Sequence, residues 1–160
     1  MNTCHFSPDR KYRYTLSHVI DGQITQECVF IGLNPSTADE QQEDPTIRRC
    51  IGFAQYWGYN TVTMMNIFAY RSTNPKKLYS PLIDPIGSEN DAYLITFCQR
   101  ADIVIAAWGN HGELHGRGTA VKRLFKDYGI PLHHLGFTKL GHPRHPLYLK
   151  ADLKPSVWPL

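Results

Sequence analysis

Long apolar runs, cysteine pairs and blocks of like charge are all missing from this 160-residue chain. No apolar stretch approaches the roughly 20 residues that cross a bilayer, so no membrane association is expected. Met1 to Phe6 lack the charged start and apolar centre of a secretory leader, and the expected compartment is the cytoplasm. The four cysteines, at 4, 28, 50 and 98, form no C-x-x-C pair. That spacing disfavours a compact zinc or iron–sulfur site, and a reducing compartment disfavours disulfides, so they read as mostly buried thiols. Neither G-x-G-x-x-G nor G-x-x-x-x-G-K-[ST] occurs, which argues against classical nicotinamide and ATP-hydrolysing sites. Ser36 and Cys50 lack the setting of a covalent nucleophile.

What is present is ordinary globular chemistry, with 42% hydrophobic and 19% charged residues. Residues 1–160 read as one domain, long enough to bury roughly 68–70% of its unfolded surface. A net charge of +3 and a pI near 8.7 permit a nucleic-acid partner without requiring one. A monomer without cofactor is expected.

Along the chain, Tyr12 to Val19, Asp21-Gly22 and Gln23 to Thr25 suggest a hairpin with a tight Asp-Gly turn. Cys28 to Ile31 is an apolar run stopped by Gly32 and Pro35, the mark of a strand buried on both faces. Asp44-Pro45 opens a helix with Asp as N-cap and Pro at the first position, its apolar face on Ile47, Ile51, Ala54 and Trp57. Thr61 to Phe68 is a second strand and Ser88 to Arg100 a second helix. Ile103 to Trp108 is a third strand. A third helix, Arg117 to Tyr128, is expected to bury Ala120, Val121, Leu124 and Phe125, and Ile130 to Leu135 is a fourth strand. The alternation predicts an α/β fold: a mostly parallel four-stranded sheet covered on both faces, plus the N-terminal hairpin.

Ligands of such sheets bind beyond the carboxyl ends of the strands. Four segments meet there: Gly32 to Asp39, Asn66 to Thr73, Trp108 to Gly112 and Gly136 to Tyr148. In the first, Gly32 allows a sharp turn and Pro35 stiffens the loop that presents Asn34. Asp39 and Glu40 are capable of general-base work, although loop acids are more often simply solvated. Asn66 is a polar residue in an apolar strand and must find a partner or cost about 1–3 kcal/mol. It either braces a neighbouring loop or reads a ligand edge. Gly109 and Gly112 flank Asn110-His111 in a turn leading into a helix whose amide end attracts anions. His142 and His145 lie three apart without a clear third metal ligand, so no metal is expected. Leu147 and Tyr148 at the loop tip are either packing residues or an apolar wedge for a base stack.

These motifs, in this order, resemble the uracil-DNA glycosylase superfamily. Gly32-Leu33-Asn34-Pro35 is similar to the Gly-x-Asn-Pro motif of the mismatch-specific and thymine-DNA glycosylase branch. Asn66 stands at a position similar to the superfamily's base-reading Asn. Val104 to His111 resembles the apolar strand and Trp-Gly turn of the uracil-specific branch. Gly141 to Leu147 resembles that branch's His-Pro-Ser-Pro-Leu loop. The signatures Gly-Leu-Asn-Pro-Ser and Gly-His-Pro-Arg-His-Pro look closer still to an uncharacterised bacterial and phage family of this type.

The resemblance implies a three-layer sandwich. It also implies an N-glycosidase acting on a damaged, mismatched or modified base in single- or double-stranded DNA, with a free modified nucleotide as the alternative substrate and non-catalytic binding as the alternative role. Asn34 would position the attacking water, Asn66 would read the base, and either His142 or His145 would hydrogen-bond the departing base. Gly32, Pro35, Ser36, Trp108 and Asn110 would line the pocket, with Phe53 stacking on the base. Arg71, Arg117 and Arg144 would contact phosphate, with Leu147 and Tyr148 as the wedge. Three departures stand out. The final loop carries one extra residue, Asn34 replaces the Asp of the fastest uracil enzymes, and the small Ser36 replaces a Tyr that excludes bulky pyrimidines.

Overall fold

A computed structural model describes residues 2–22, 26–36 and 38–160. Seven strands form one mixed sheet: β1 (Asn2–Phe6), β2 (Arg13–Val19), β3 (Glu27–Gly32), β4 (Thr61–Asn66), β5 (Ile103–Ala106), β6 (Leu132–His134) and β7 (Ser156–Trp158). Their spatial order is β1-β2-β4-β3-β5-β6-β7. The four strands expected from sequence lie together as β4-β3-β5-β6, all parallel. The expectation of a four-stranded sheet is corrected at both edges, where β1-β2 and β7 add antiparallel strands. Strands as short as the three-residue β7 carry too little periodicity to be read from sequence.

The first arm of the expected N-terminal hairpin is strand β2. Val19 and its neighbours pair with β4 on one side, and β2 pairs with residues 2–6 on the other. The anticipated second arm, residues 23–25, lies outside the described residues.

Successive residues of the parallel strands alternate between two cores. Val29, Ile31, Met65, Val104 and Ala106 face one side, where α2 (Asn90–Arg100) adds Leu94 and Phe97 and α3 (Arg117–Asp127) adds Val121 and Phe125. Cys28, Phe30, Val62, Met64, Ile103 and Ile105 face the other, where α1 (Pro45–Tyr56) adds Ile47, Cys50, Phe53 and Ala54. Helices thus cover both faces. Asp44 caps α1 as expected, accepting the Ile47 amide at 2.9 Å. Ala120, expected inside, is exposed, because α3 turns Gly118 and Val121 to the sheet instead. Between Gly112 and α3, residues 113–116 intervene, with left-handed backbone at His115 and Gly116. The Gly109 turn therefore does not lead straight into that helix. Among the described residues no helix is long and apolar enough to cross a membrane. Cys28, Cys50 and Cys98 are buried free thiols and Cys4 is half-buried.

His133 and His134 on β6 are held below the usual imidazole pKa, chiefly by burial. The His133 Nδ1 has no hydrogen-bond partner among the described residues. The unfolded chain therefore binds protons that the folded chain refuses. This contribution to stability is complete above about pH 6.5 and declines as the pH falls below it. His133→Gln is expected to lose less stability than the parent between pH 7.5 and 5.5. Denaturant titrations at both values check this, and parallel losses would refute it.

Candidate functional site

The parallel register sets β3 and β4 side by side to their ends, pairing Gly32 with Asn66. Beyond the strands the two loops remain laced together. Gly32 and Leu33 carbonyls accept the Ile67 and Phe68 amides at 3.0 and 2.9 Å, and Pro35 O accepts the Ser72 amide at 2.9 Å. On the β5 side, the Gly109 amide donates to Pro143 O at 2.8 Å, tying the third loop to the fourth. These four loops enclose a cavity of about 450 Å³, within the usual size range of small-molecule sites. It lies at the strand ends where the topology predicts a site.

Asn66 forms part of its wall. It is 5% exposed, and its buried Nδ2 has no partner among the described residues. A Cβ on Gly32 would sit 2.9 Å from Asn66 Oδ1. The glycine is therefore required for close approach of the amide, and its φ is not in the left-handed region, which corrects the sharp-turn expectation. The backbone under Asn66 is clamped: Asn90 Nδ2 donates to Asn66 O at 2.9 Å and to Ile67 O at 3.2 Å.

Asn34 lies on the adjoining wall. Its Nδ2 donates to Ser72 O at 2.9 Å, Pro35 O at 3.2 Å and Tyr70 O at 3.4 Å, which immobilises the side chain. The amide donor is engaged, and Oδ1 takes no hydrogen bond from the described residues. That leaves the acceptor for a water or ligand. Ser36 donates its hydroxyl to Asp44 Oδ2 at 2.9 Å, and both residues line the cavity.

Of the two histidines, the structure brings His145 to the cavity, while His142 points to a separate small groove and lies 3.7 Å from Glu113. His145 Nδ1 accepts the Leu147 amide at 3.2 Å. A neutral ring therefore carries its proton on Nε2, leaving a donor. Burial holds its pKa below 6.5, an effect partly offset by the Asp44 carboxylate. Pro35, Trp108 and Asn110 also line the cavity. Asn110 Oδ1 accepts the Thr138 hydroxyl at 2.6 Å.

Other expected residues are placed elsewhere. Phe53 is buried in the α1 core, stacked on Trp57 at 5.3 Å, and Phe30 joins Trp108 on the cavity wall instead. Arg117 is 5% exposed and donates to Ile67 O at 2.8 Å and Asp91 Oδ1 at 2.6 Å, so it braces the end of β4 and is closed to phosphate. Arg144 is exposed on the fourth loop, away from the cavity, donating to Phe137 O at 3.1 Å. Arg71 lines a groove of about 520 Å³ beside the cavity, with Arg10 and Lys11. Leu147 is half-buried, whereas Tyr148 is 93% exposed with a φ of 72°. Asp39 accepts the Gln41 and Gln42 amides and Glu40 pairs with Arg10, so neither acid lines the cavity. No cluster of three or more metal-ligating side chains occurs among the described residues.

Two wall residues escape a linear reading. Asp44 looks like a helix cap and nothing more, yet its second oxygen holds Ser36 at the cavity. Arg13 sits among Tyr12, Tyr14 and Leu16 in an inward-facing stretch of β2, and a charge in such a stretch is the signal that marks it.

Residues 13–147 match the family model described as "Protein of unknown function (DUF1643)". No curated protein and no solved structure matches the chain.

Proposed function

The chain belongs to the DUF1643 family, and we propose that it is a nucleobase N-glycosidase of uracil-DNA glycosylase type. The observation that carries this reading is Asn66, whose buried Nδ2 has no partner among the described residues, in a cavity that also presents the fixed Asn34 and the Nε2 donor of His145. A planar amide offers one donor and one acceptor, the pattern that matches the hydrogen-bonding edge of a base.

In the proposed reaction, Asn34 Oδ1 orients a water toward the sugar C1′. The new C–O bond forms as the C1′–N bond breaks, and its electron pair leaves with the base. The Asp44 carboxylate is the wall group able to take the water's proton. His145 and Asn66 hydrogen-bond the base as it becomes anionic. With Ser36 small, the cavity tolerates a substituted pyrimidine. A second reading, a binder of modified bases, is favoured by Asn34 itself, because an amide has no general-base power.

The test is base release from single- and double-stranded oligonucleotides carrying uracil, hypoxanthine, mismatched thymine or 5-substituted cytosines. The glycosidase is expected to release at least one of these. Asn34→Ala and His145→Ala are each expected to slow that release by about 100-fold or more. Binding without release would instead support the binder.

A further inference from the structure

We propose that Arg13 forms a binding site for a phosphate group of the ligand, on the wall between the cavity and the neighbouring basic groove. The choice of nucleotide probes below rests on the nucleobase reading of the cavity. The phosphate site itself does not.

Arg13 is 3% exposed and lines the cavity. Its Nη1 donates to Ala38 O at 2.8 Å, but its buried Nε has no partner among the described residues. It forms no ion pair among the described residues. An arginine is not needed to satisfy one carbonyl, and a buried cation without a counter-ion is unfavourable unless something supplies the negative charge. Burial pushes its pKa down to about 10, while the nearby Cys4, Asp44 and Asp39 raise it and Arg71 lowers it. The guanidinium nevertheless stays charged at neutral pH.

The fork of guanidinium donors matches a phosphate oxyanion. A lone carboxylate would call for one cation, but the cationic surface continues. Ser36, Ser72 and Thr73 line both the cavity and the groove that holds Arg71 and Lys11. Arg10 in that groove is already paired with Glu40 at 3.1 Å, so Arg71 and Lys11 carry its positive charge outward. A line of cations running from the inside of a cavity along its mouth fits a phosphate ester. The shared chemistry has two sources, the monoester of a free nucleotide and the diester of a polynucleotide backbone.

Titration calorimetry separates the possibilities, using inorganic phosphate, deoxyuridine, deoxyuridine 5′-monophosphate and a pentanucleotide with a central deoxyuridine. At least one phosphate-bearing nucleotide probe is expected to bind tenfold or more tightly than the nucleoside. Arg13→Gln is expected to reduce that gap to twofold or less. Tighter binding of the monophosphate identifies a free nucleotide. Tighter binding of the pentanucleotide, weakened steeply by salt, identifies the backbone.

Equal affinity for nucleoside and both phosphate probes would overturn the proposal, as would a folded Arg13→Gln protein with the gap intact. If inorganic phosphate binds the parent and no base-bearing probe does, the phosphate site stands and the nucleobase reading fails. If Arg13→Gln does not fold, the Arg13 Nε–H resonance of the unmodified protein is followed by NMR during phosphate titration. A shift supports the site, and an unmoved resonance overturns it.

Discussion

Asn66→Ala is expected to lower release of the recognised base by about 100-fold or more while leaving the melting temperature unchanged or raised. The two halves of this result have different causes. Asn66 Nδ2 is buried without a partner among the described residues, so in the empty site the folded protein bears a desolvation cost of about 1–3 kcal/mol. Truncation removes that cost, offset by the loss of a small side chain's packing. The backbone beneath does not depend on the side chain, because Asn90 and Arg117 hold the Asn66 and Ile67 carbonyls. In the occupied site the same amide is where a base would find its donor and acceptor. Single-turnover base release and thermal unfolding of one preparation measure both halves. Unchanged release would remove Asn66 from base recognition. A parallel drop in release and stability would make it a structural residue.

Gly112→Ala is expected to destabilise the protein by about 3 kcal/mol, the upper end of ordinary overpacking. For a chain of this size that corresponds to a melting temperature lower by about 6–12 °C. A Cβ at Gly112 would lie 2.1 Å from Trp108 Cδ1 and 2.7 Å from its Nε1. The indole is 3% exposed and has little room to retreat. Gly118 already needs to be glycine against the same ring, where a Cβ would meet Nε1 at 2.9 Å, and Trp158 packs at 5.8 Å. Because Trp108 lines the cavity, any ring movement that relieves the clash also deforms the cavity wall. Gly52→Ala is the contrast. Gly52 is exposed on α1 with nothing within 4 Å of its Cβ position, and helix propensity predicts stabilisation by about 0.5–1 kcal/mol. Equilibrium denaturation of the two variants beside the parent tests both signs. A Gly112→Ala protein within about 0.5 kcal/mol of the parent would mean that the indole shifts freely.

The cavity-forming loops follow from local pattern in a direct way. Apolar runs at Cys28–Ile31 and Ile103–Trp108 stop at Gly32 and Gly109, and the Asp44 cap marks where α1 begins. Parallel strands then oblige all four following loops to gather at one sheet edge, which is why Asn34, Asn66, Trp108, Asn110 and His145 meet. Of the edge strands, β7 was illegible because it has only three residues, whereas β1 does carry a local signal, the Ser7-Pro8-Asp9-Arg10 turn closed by the Arg10 amide on Ser7 O at 2.9 Å, which folds residues 2–6 back onto β2. The role of Arg117 was illegible for a different reason. An arginine at the start of a helix reads as surface until the fold shows Ile67 O and Asp91 closing around it.

By itself the sequence determined the parallel core, the sheet edge where the cavity lies and the polar residue types gathered there, because periodicity, caps and strand-ending glycines are local and additive. Only the tertiary structure chose His145 over His142 for the cavity, replaced Phe53 with Phe30 on its wall and brought Arg13 and Asp44 into it. Those choices depend on which side chains the loops turn inward. That is settled by long-range hydrogen bonds such as Asn34 to Ser72 and Gly109 to Pro143, and by the strand register that sets Gly32 beside Asn66.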